Sequence, residues 1–398
     1  IESYQHHPPS TITMASIVRS TITRAAYQAT QRNVRCMSWW SAVPQGPKDP
    51  ILGVTEAFKE DKDPRKMNLG VGAYRDDNNK PVVIKSVCDA ADRIHFAKLN
   101  NEYAPIAGEP EFAQHSIKLA YGADSPLVAE GRIAAIQSVS GTGALRLIGA
   151  YLARFWPSGV PKPKVYLPNP TWGNHIPIFN DCGLETTYYK YYKPSTKGLD
   201  LEGLLADVKS APNQSVFLFH ACAHNPTGVD PSAAEWKQIS AAVKEKGHFV
   251  ILDSAYQGFA SGDPVKDTMA LRQFAADGHE FAVAQSFSKN FGLYGQRVGC
   301  LSMVTASKEE KTRVESQLKI IARAMYSNPP ISGARIVTTI LGDGGLRKQW
   351  EKDVKEMADR IILMRKMLRD ELERLGSKHN WEHITNQIGM FCYSGLTP

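Results

Sequence analysis

The sequence predicts an α/β fold built on a mostly parallel sheet between helices. Three observations carry this. Six short apolar runs have the length of strands, longer helical segments separate many of them, and reactive polar residues follow the runs. The runs are 133–140 (IAAIQSVS), 164–168 (KVYLP), 216–221 (VFLFHA), 249–255 (FVILDSA), 281–288 (FAVAQSFS) and 298–304 (VGCLSMV). Several are almost continuously apolar, the pattern of strands buried on both faces. Segments 143–156, 231–246 and 267–277 read as helices between them, which is the order of βα units. Past Val304 the pattern is purely helical, through 307–325, 330–341 and 344–375. In the last of these Met357, Ile361, Met364 and Leu368 recur at three-to-four spacing, which predicts an apolar stripe bridging the main domain to a second one.

Composition narrows the class. The 398 residues are 42% hydrophobic and 22% charged, an ordinary globular balance. No stretch approaches eighteen apolar residues, so a membrane-spanning helix is not expected. Of the net charge of +7, residues 1–41 carry +3, from Arg19, Arg24, Arg32 and Arg35 less Glu2. The remaining +4 forms no basic cluster, so nothing points to nucleic acid. The six cysteines are scattered without a C-x-x-C pair, which argues against a disulfide scaffold or zinc ribbon and predicts reduced, mostly buried thiols.

The two ends read differently from the rest. Residues 1–13 read as sequence ahead of a start at Met14. From Met14 to Cys36 there is Arg, Ser, Thr and Ala but no acid, and a helix there would line up Ile17, Ile22, Ala25, Ala26 and Ala29. That is the make-up of a mitochondrial transit peptide, so 1–37 is expected to be a leader cut between Arg35 and Ser38. At the other end, 387–398 (QIGMFCYSGLTP) predicts a strand, a turn and the opening of a helix, as in a chain cut short.

Ligands of open α/β sheets bind beyond the carboxyl ends of the strands. Ser140, Gly141 and Thr142, then Asn225, Asp253 with Tyr256, Ser286 and Lys289 each follow an apolar run, so one shared site is expected there. Ser140-Gly141-Thr142-Gly143 joins a run to a helix, where small residues and the helix N-terminus favour an anion. It lacks the G-K-[ST] ending of a nucleotide loop. Ser286 and Arg297 add a hydroxyl and a bidentate cation suited to a phosphate. Lys289, among serines and aromatics, reads as a Schiff-base lysine of lowered pKa, against the commoner plain surface lysine. Asp253 ends a buried run, where an unpaired carboxylate is costly. It reads as the partner of a pyridinium nitrogen, with a helix N-cap as the alternative. Tyr256 and Asn225 are placed to reach a phenolic oxygen, and Trp172 is either a stacking face or a core side chain. His220 and His224 are four apart, a spacing that pairs metal ligands only on a helix, and their run reads as strand. No metal is expected.

Together, segments 68–77 (NLGVGAYRDD), 101–108 (NEYAPIAG), 140–146 (SGTGALR), 169–175 (NPTWGNH), 224–228 (HNPTG), 253–259 (DSAYQGF), 285–299 (QSFSKNFGLYGQRVG) and 326–330 (YSNPP) resemble the aspartate aminotransferase family. This is fold type I of the pyridoxal-phosphate enzymes, and the mitochondrial branch is the most similar. The resemblance runs from about Trp40 to the end. It implies a large domain with a mostly parallel sheet (82–356) and a smaller α/β domain made of 38–81, with an N-terminal arm, and 357–398. It implies pyridoxal 5'-phosphate, held through Lys289, with Asp253 on the pyridine nitrogen, Tyr256 and Asn225 on the phenolic oxygen and Trp172 on the ring. Ser140, Gly141, Thr142, Ser286 and Arg297 would cradle the phosphate, with Tyr103 reaching in from a second copy. Arg323, also from the second copy, would pair with the distal carboxylate of aspartate or glutamate, and Gly72 would lie on the loop that closes over substrate.

A homodimer in the mitochondrial matrix follows, transferring the amino group of L-aspartate to 2-oxoglutarate. A related aminotransferase or lyase with another substrate is the rival enzyme, and Arg323 argues against it. In the family the arginine for the α-carboxylate lies past a segment like 389–392, and this chain stops before it. That implies truncation, and as an alternative a catalytically impaired or binding-only member.

Overall fold

The computed structural model describes residues 38–46, 50–68, 70 and 72–395. The leader predicted over 1–37 lies outside them. The chain divides into two units at residues 71/72. In the first, the helix Pro50–Glu60 is closed by Lys66, whose Nζ donates to the carbonyls of Phe58 and Asp61 at 2.6 Å each.

The second unit is built on a seven-stranded sheet. Its strands are β1 (Ile133–Val139), β2 (Val165–Asn169), β3 (Thr186–Lys190), β6 (Val216–His220), β7 (Phe249–Ser254), β8 (Phe281–Ser286) and β9 (Val298–Val304). A separate hairpin pairs β4 (Tyr192–Lys193) with β5 (Gly198–Leu199). The sheet order is β1-β9-β8-β7-β6-β2-β3. Only β9 runs against its neighbours; the other contacts are parallel. The predicted mostly parallel sheet is therefore present, and six of its seven strands coincide with the six apolar runs to within two residues.

Side chains alternate between two cores, as the pleat requires. Leu218, Ile251, Ala282 and Ala284 face the helix Ser140–Phe155, beside Leu145 and Ile148. Phe217, Phe219, Leu252 and Val283 face the opposite layer, with Trp236 and Phe274. Covering both faces explains why these strands read as continuous apolar runs. The edge strand β3 was not predicted. Its TTYYK is half exposed and so has no apolar run to announce it. The helices Lys85–Phe96, Pro110–Tyr121 and Leu201–Ser210 were also missed.

Three expectations need correction. The run 387–393 is not a strand: among the described residues no strand lies beside it, and side chains take up its backbone groups instead. Arg365 donates to the carbonyls of Ile384, Gly389 and Phe391, while Gln387 exchanges hydrogen bonds with Tyr393 at 2.8 and 3.1 Å. Along the helix Gly344–Arg374, Met357 is buried, but Met364 and Leu368 stand exposed. There the helix turns Arg365 inward, so a cation bound to carbonyls replaces the expected apolar stripe. The cysteines are free, but Cys88 and Cys392 are exposed and only Cys222 and Cys300 are buried; Cys36 lies outside the described residues. Among the described residues no helix is long and apolar enough to cross a membrane.

A third core joins the helices Ile331–Gly342 and Gly344–Arg374 to the segment after β8. Trp350 is fully buried there. It stacks on Phe291 at 4.7 Å and donates its Nε1–H to the carbonyl of Asn290 at 2.8 Å, next to Lys289. Trp350→Ala removes both contacts and leaves a cavity. Urea unfolding is expected to show a loss of about 3–5 kcal/mol.

Candidate active site

The parallel strands β1, β6, β7 and β8 end on one edge of the sheet, and β9, being reversed, begins there. Ser140, Asp253, Ser286 and Lys289 therefore leave their strands beside Arg297, which enters one. All five line a single cavity, together with Gly141, Thr142, Trp172, Asn225 and Tyr256. The structure thus gathers ten of the thirteen predicted site residues.

Close backbone approach shapes one end. Ser140 is in the left-handed region at φ 61° and opens the helix Ser140–Phe155. A Cβ on Gly299 would lie 2.5 Å from the Ser140 carbonyl carbon and 2.6 Å from the Gln285 oxygen, so no side chain fits. At Gly141 a Cβ would come within 3.1 Å of that of Ser286. With the ends of β1 and β8 this close, Ser140 Oγ lies 3.1 Å from Ser286 Oγ and 2.9 Å from Ser288 Oγ. Arg297, itself left-handed at φ 51°, donates to Ser288 Oγ at 3.3 Å and to the Tyr294 carbonyl at 3.0 Å. Hydroxyls, a guanidinium and a helix N-terminus converge without a carboxylate among them, a fit for an oxyanion.

The other end is acidic. Strand register sets Asp253 opposite His220. His175 Nε2 lies 3.2 Å from Asp253 Oδ2, and its Nδ1 is 2.7 Å from Thr171 Oγ1. With the carboxylate as acceptor, Nε2 carries the proton and Thr171 donates to Nδ1. Burial pushes the Asp253 pKa up, but the His175 hydrogen bond, with the electrostatic pull of the His175 and His220 rings and of the Lys289 ammonium, outweighs it and holds it below the ordinary value. A buried anion kept ionised in this way suits a cationic ring nitrogen. Lys289 is displaced downward: burial and the Arg297 charge lower its pKa against the pull of Asp253. Its Nζ stands 5.5 Å from the Tyr256 ring centre. Burial, then the Asp253 charge, raises the Tyr256 phenol and keeps it a donor.

His175, His220 and Asp253 place ligand atoms within 4.8 Å of one another, the geometry of a metal site. The tautomers oppose it. His220 Nδ1 accepts from the Asn225 N–H at 2.9 Å, so Nε2 bears the proton and offers no lone pair, as at His175. Burial and the neighbouring His175 pull the His220 pKa down to about 3, so it stays neutral. The His220 and His224 rings lie 4.3 Å apart, tilted by 33°, as a core pair.

Three predicted residues are not in the cavity. Gly72, Tyr103 and Arg323 are exposed, and Arg323 donates to Ser327 Oγ at 2.7 Å. Conversely, Thr171, His175, Ser288 and Gly299 were not singled out in the sequence, and His220 was weighed there only as a metal ligand. Neither the pairing of Thr171 with His175 nor the register of His220 with Asp253 is announced by a local pattern of residues.

The family model for class I and II aminotransferases matches residues 64–398. The chain belongs to that family. The mitochondrial aspartate aminotransferase of Dictyostelium discoideum is 53% identical over 372 residues, 92% of this chain and 86% of the relative. That of Arabidopsis thaliana is 54% identical over 361 residues, 91% and 83% of the two chains. Among solved structures, the aromatic-amino-acid aminotransferase of Burkholderia pseudomallei, covalently bound to pyridoxal phosphate, superposes with a TM-score of 0.88 at 43% identity, covering 91% of this chain and 89% of that one.

For this aminotransferase the His175–Asp253 contact sets a pH dependence. A carboxylate held below its ordinary 3.8 stabilises the fold above that value, and the contribution is lost as pH falls through the lower, folded value. In His175→Ala burial is left to dominate and the sign reverses. Thermal unfolding of the two apoproteins is expected to differ most near neutral pH and to converge below about pH 4. A constant gap across that range would mean that His175 does not hold Asp253 ionised.

Proposed function

We propose that the chain is a pyridoxal-phosphate-dependent aspartate aminotransferase, converting L-aspartate and 2-oxoglutarate to oxaloacetate and L-glutamate. One observation carries this: a cavity with an oxyanion cradle at one end, an ionised and largely buried aspartate at the other, and a largely buried lysine of lowered pKa. That pattern fits a cofactor bearing a phosphate, a ring nitrogen and an aldehyde. When bound, the cofactor supplies an electrophilic carbon and an electron-withdrawing ring.

The rest falls to the protein. Ser140, Gly141, Thr142, Ser286 and Arg297 hold the phosphate. Asp253 keeps a proton on the ring nitrogen, and His175 keeps Asp253 charged. Tyr256 and Asn225 donate to the phenolic oxygen, and Trp172 covers one ring face. Lys289, an amine of lowered pKa, would take the proton from the substrate α-carbon.

Tyr103 and Arg323, exposed and outside the cavity of their own chain, complete that of a second copy in a homodimer. Tyr103 reaches the phosphate, and Arg323 pairs with the distal carboxylate of a dicarboxylic substrate. Gly72 belongs to a segment that closes over substrate. The small domain comprises 38–81 and 357–398 and the large one 82–356. The names of the two curated relatives and the acid-free segment 14–36 support import into mitochondria, in the matrix, after removal of 1–37.

Borohydride treatment of the holoenzyme is expected to fix the cofactor on Lys289, and Lys289→Ala to lower amino transfer on the order of 10⁴-fold. Arg323→Ala is expected to lose dicarboxylate turnover. Mixing the two inactive variants should restore activity, because each mixed dimer keeps one cavity with its own lysine and its partner's arginine. Failure to complement would refute the shared site.

A further inference from the structure

The segment after β6 carries Asn225, and a carboxylate from outside the cavity grips it. Asp230 accepts the N–H of Ala223 at 2.6 Å through one oxygen and the N–H of His224 at 2.9 Å through the other. Ala223 is in the left-handed region at φ 49°, which a residue with a Cβ enters only when its surroundings impose it. Two successive amides turned onto one anion form a nest, and this nest immediately precedes Asn225. The Asn225 amide then continues the path by donating to His220 Nδ1, beside Asp253. Among the described residues Asp230 has no cationic partner within salt-bridge distance. It does not line the cavity that holds Asn225 and Lys289, but borders a separate one with Lys197 and Gln387.

We infer that Asp230 is a positioning residue, whose two oxygens set the turn at Ala223–His224 and so aim the Asn225 side chain at the cofactor's phenolic oxygen. The inference rests on the reading of Asn225 given above. Burial lifts the Asp230 carboxyl to about 6 against the pull of the two amides, so this segment keeps a charged acceptor at a cost that packing alone would not require. Asparagine at this position would keep one acceptor and turn an NH2 toward an N–H.

The test is titration of the apoenzyme with pyridoxal phosphate and with its analogue lacking the phenolic hydroxyl. Asn225→Ala is expected to weaken the first by about tenfold and leave the second unchanged. Asp230→Asn should show the same discrimination, and the double variant should be no worse than Asn225→Ala alone. Asp230→Glu, which keeps both oxygens on a longer arm, should recover part of the loss, and it serves in place of Asp230→Asn should that variant not fold. An equal loss for both ligands, or full additivity in the double variant, would overturn the role by showing a merely structural acid. If Asn225→Ala itself does not separate the two ligands, the reading of Asn225 fails and this inference falls with it.

Discussion

The site depends on the contact at Gly299, where the missing side chain lets the Ser140 backbone and the Gln285 carbonyl close in on strand β9. Because β9 is reversed, it brings Arg297 to the same sheet edge at which β1 and β8 deliver Ser140, Ser286 and Ser288. The oxyanion cradle is thus a consequence of strand direction and of one residue too small to keep two strand ends apart. Nothing in the loops alone would assemble it, since its parts lie far apart in the chain.

At the opposite end the determining factor is charge in a buried place. An isolated carboxylate there would neutralise itself. His175 prevents this with a proton on Nε2, and Thr171 fixes which nitrogen bears it. The same logic of tautomers removes His175 and His220 from metal chemistry although their positions suit it. Lys289 and Asp253 move in the direction of function for opposite reasons: burial lowers the lysine against the pull of Asp253, whereas specific neighbours, His175 first, lower the aspartate against burial.

Much of the site was legible in the sequence because strand ends are. A buried strand announces itself as an apolar run, and the first reactive residue after it must sit at the sheet edge. Ser140, Asn225, Asp253, Ser286 and Lys289 could be found that way. His220 could not, because only its register opposite Asp253 gives it a role. Strand β3 escaped because an edge strand need not be apolar, and 387–393 misled because an apolar run becomes a strand only beside another strand. There Arg365 and Gln387 supply the hydrogen bonds a neighbour would have made.

The sequence by itself determined the α/β class, the places of its six principal strands along the chain and the residue types at their ends, because burial on both faces leaves a one-dimensional trace. Tertiary structure alone decided that β9 runs backwards, which tautomers His175 and His220 adopt, and that Asp230 holds the turn before Asn225. Strand direction, proton position and backbone hydrogen bonds depend on partners distant in the chain, and no local pattern of residues encodes them.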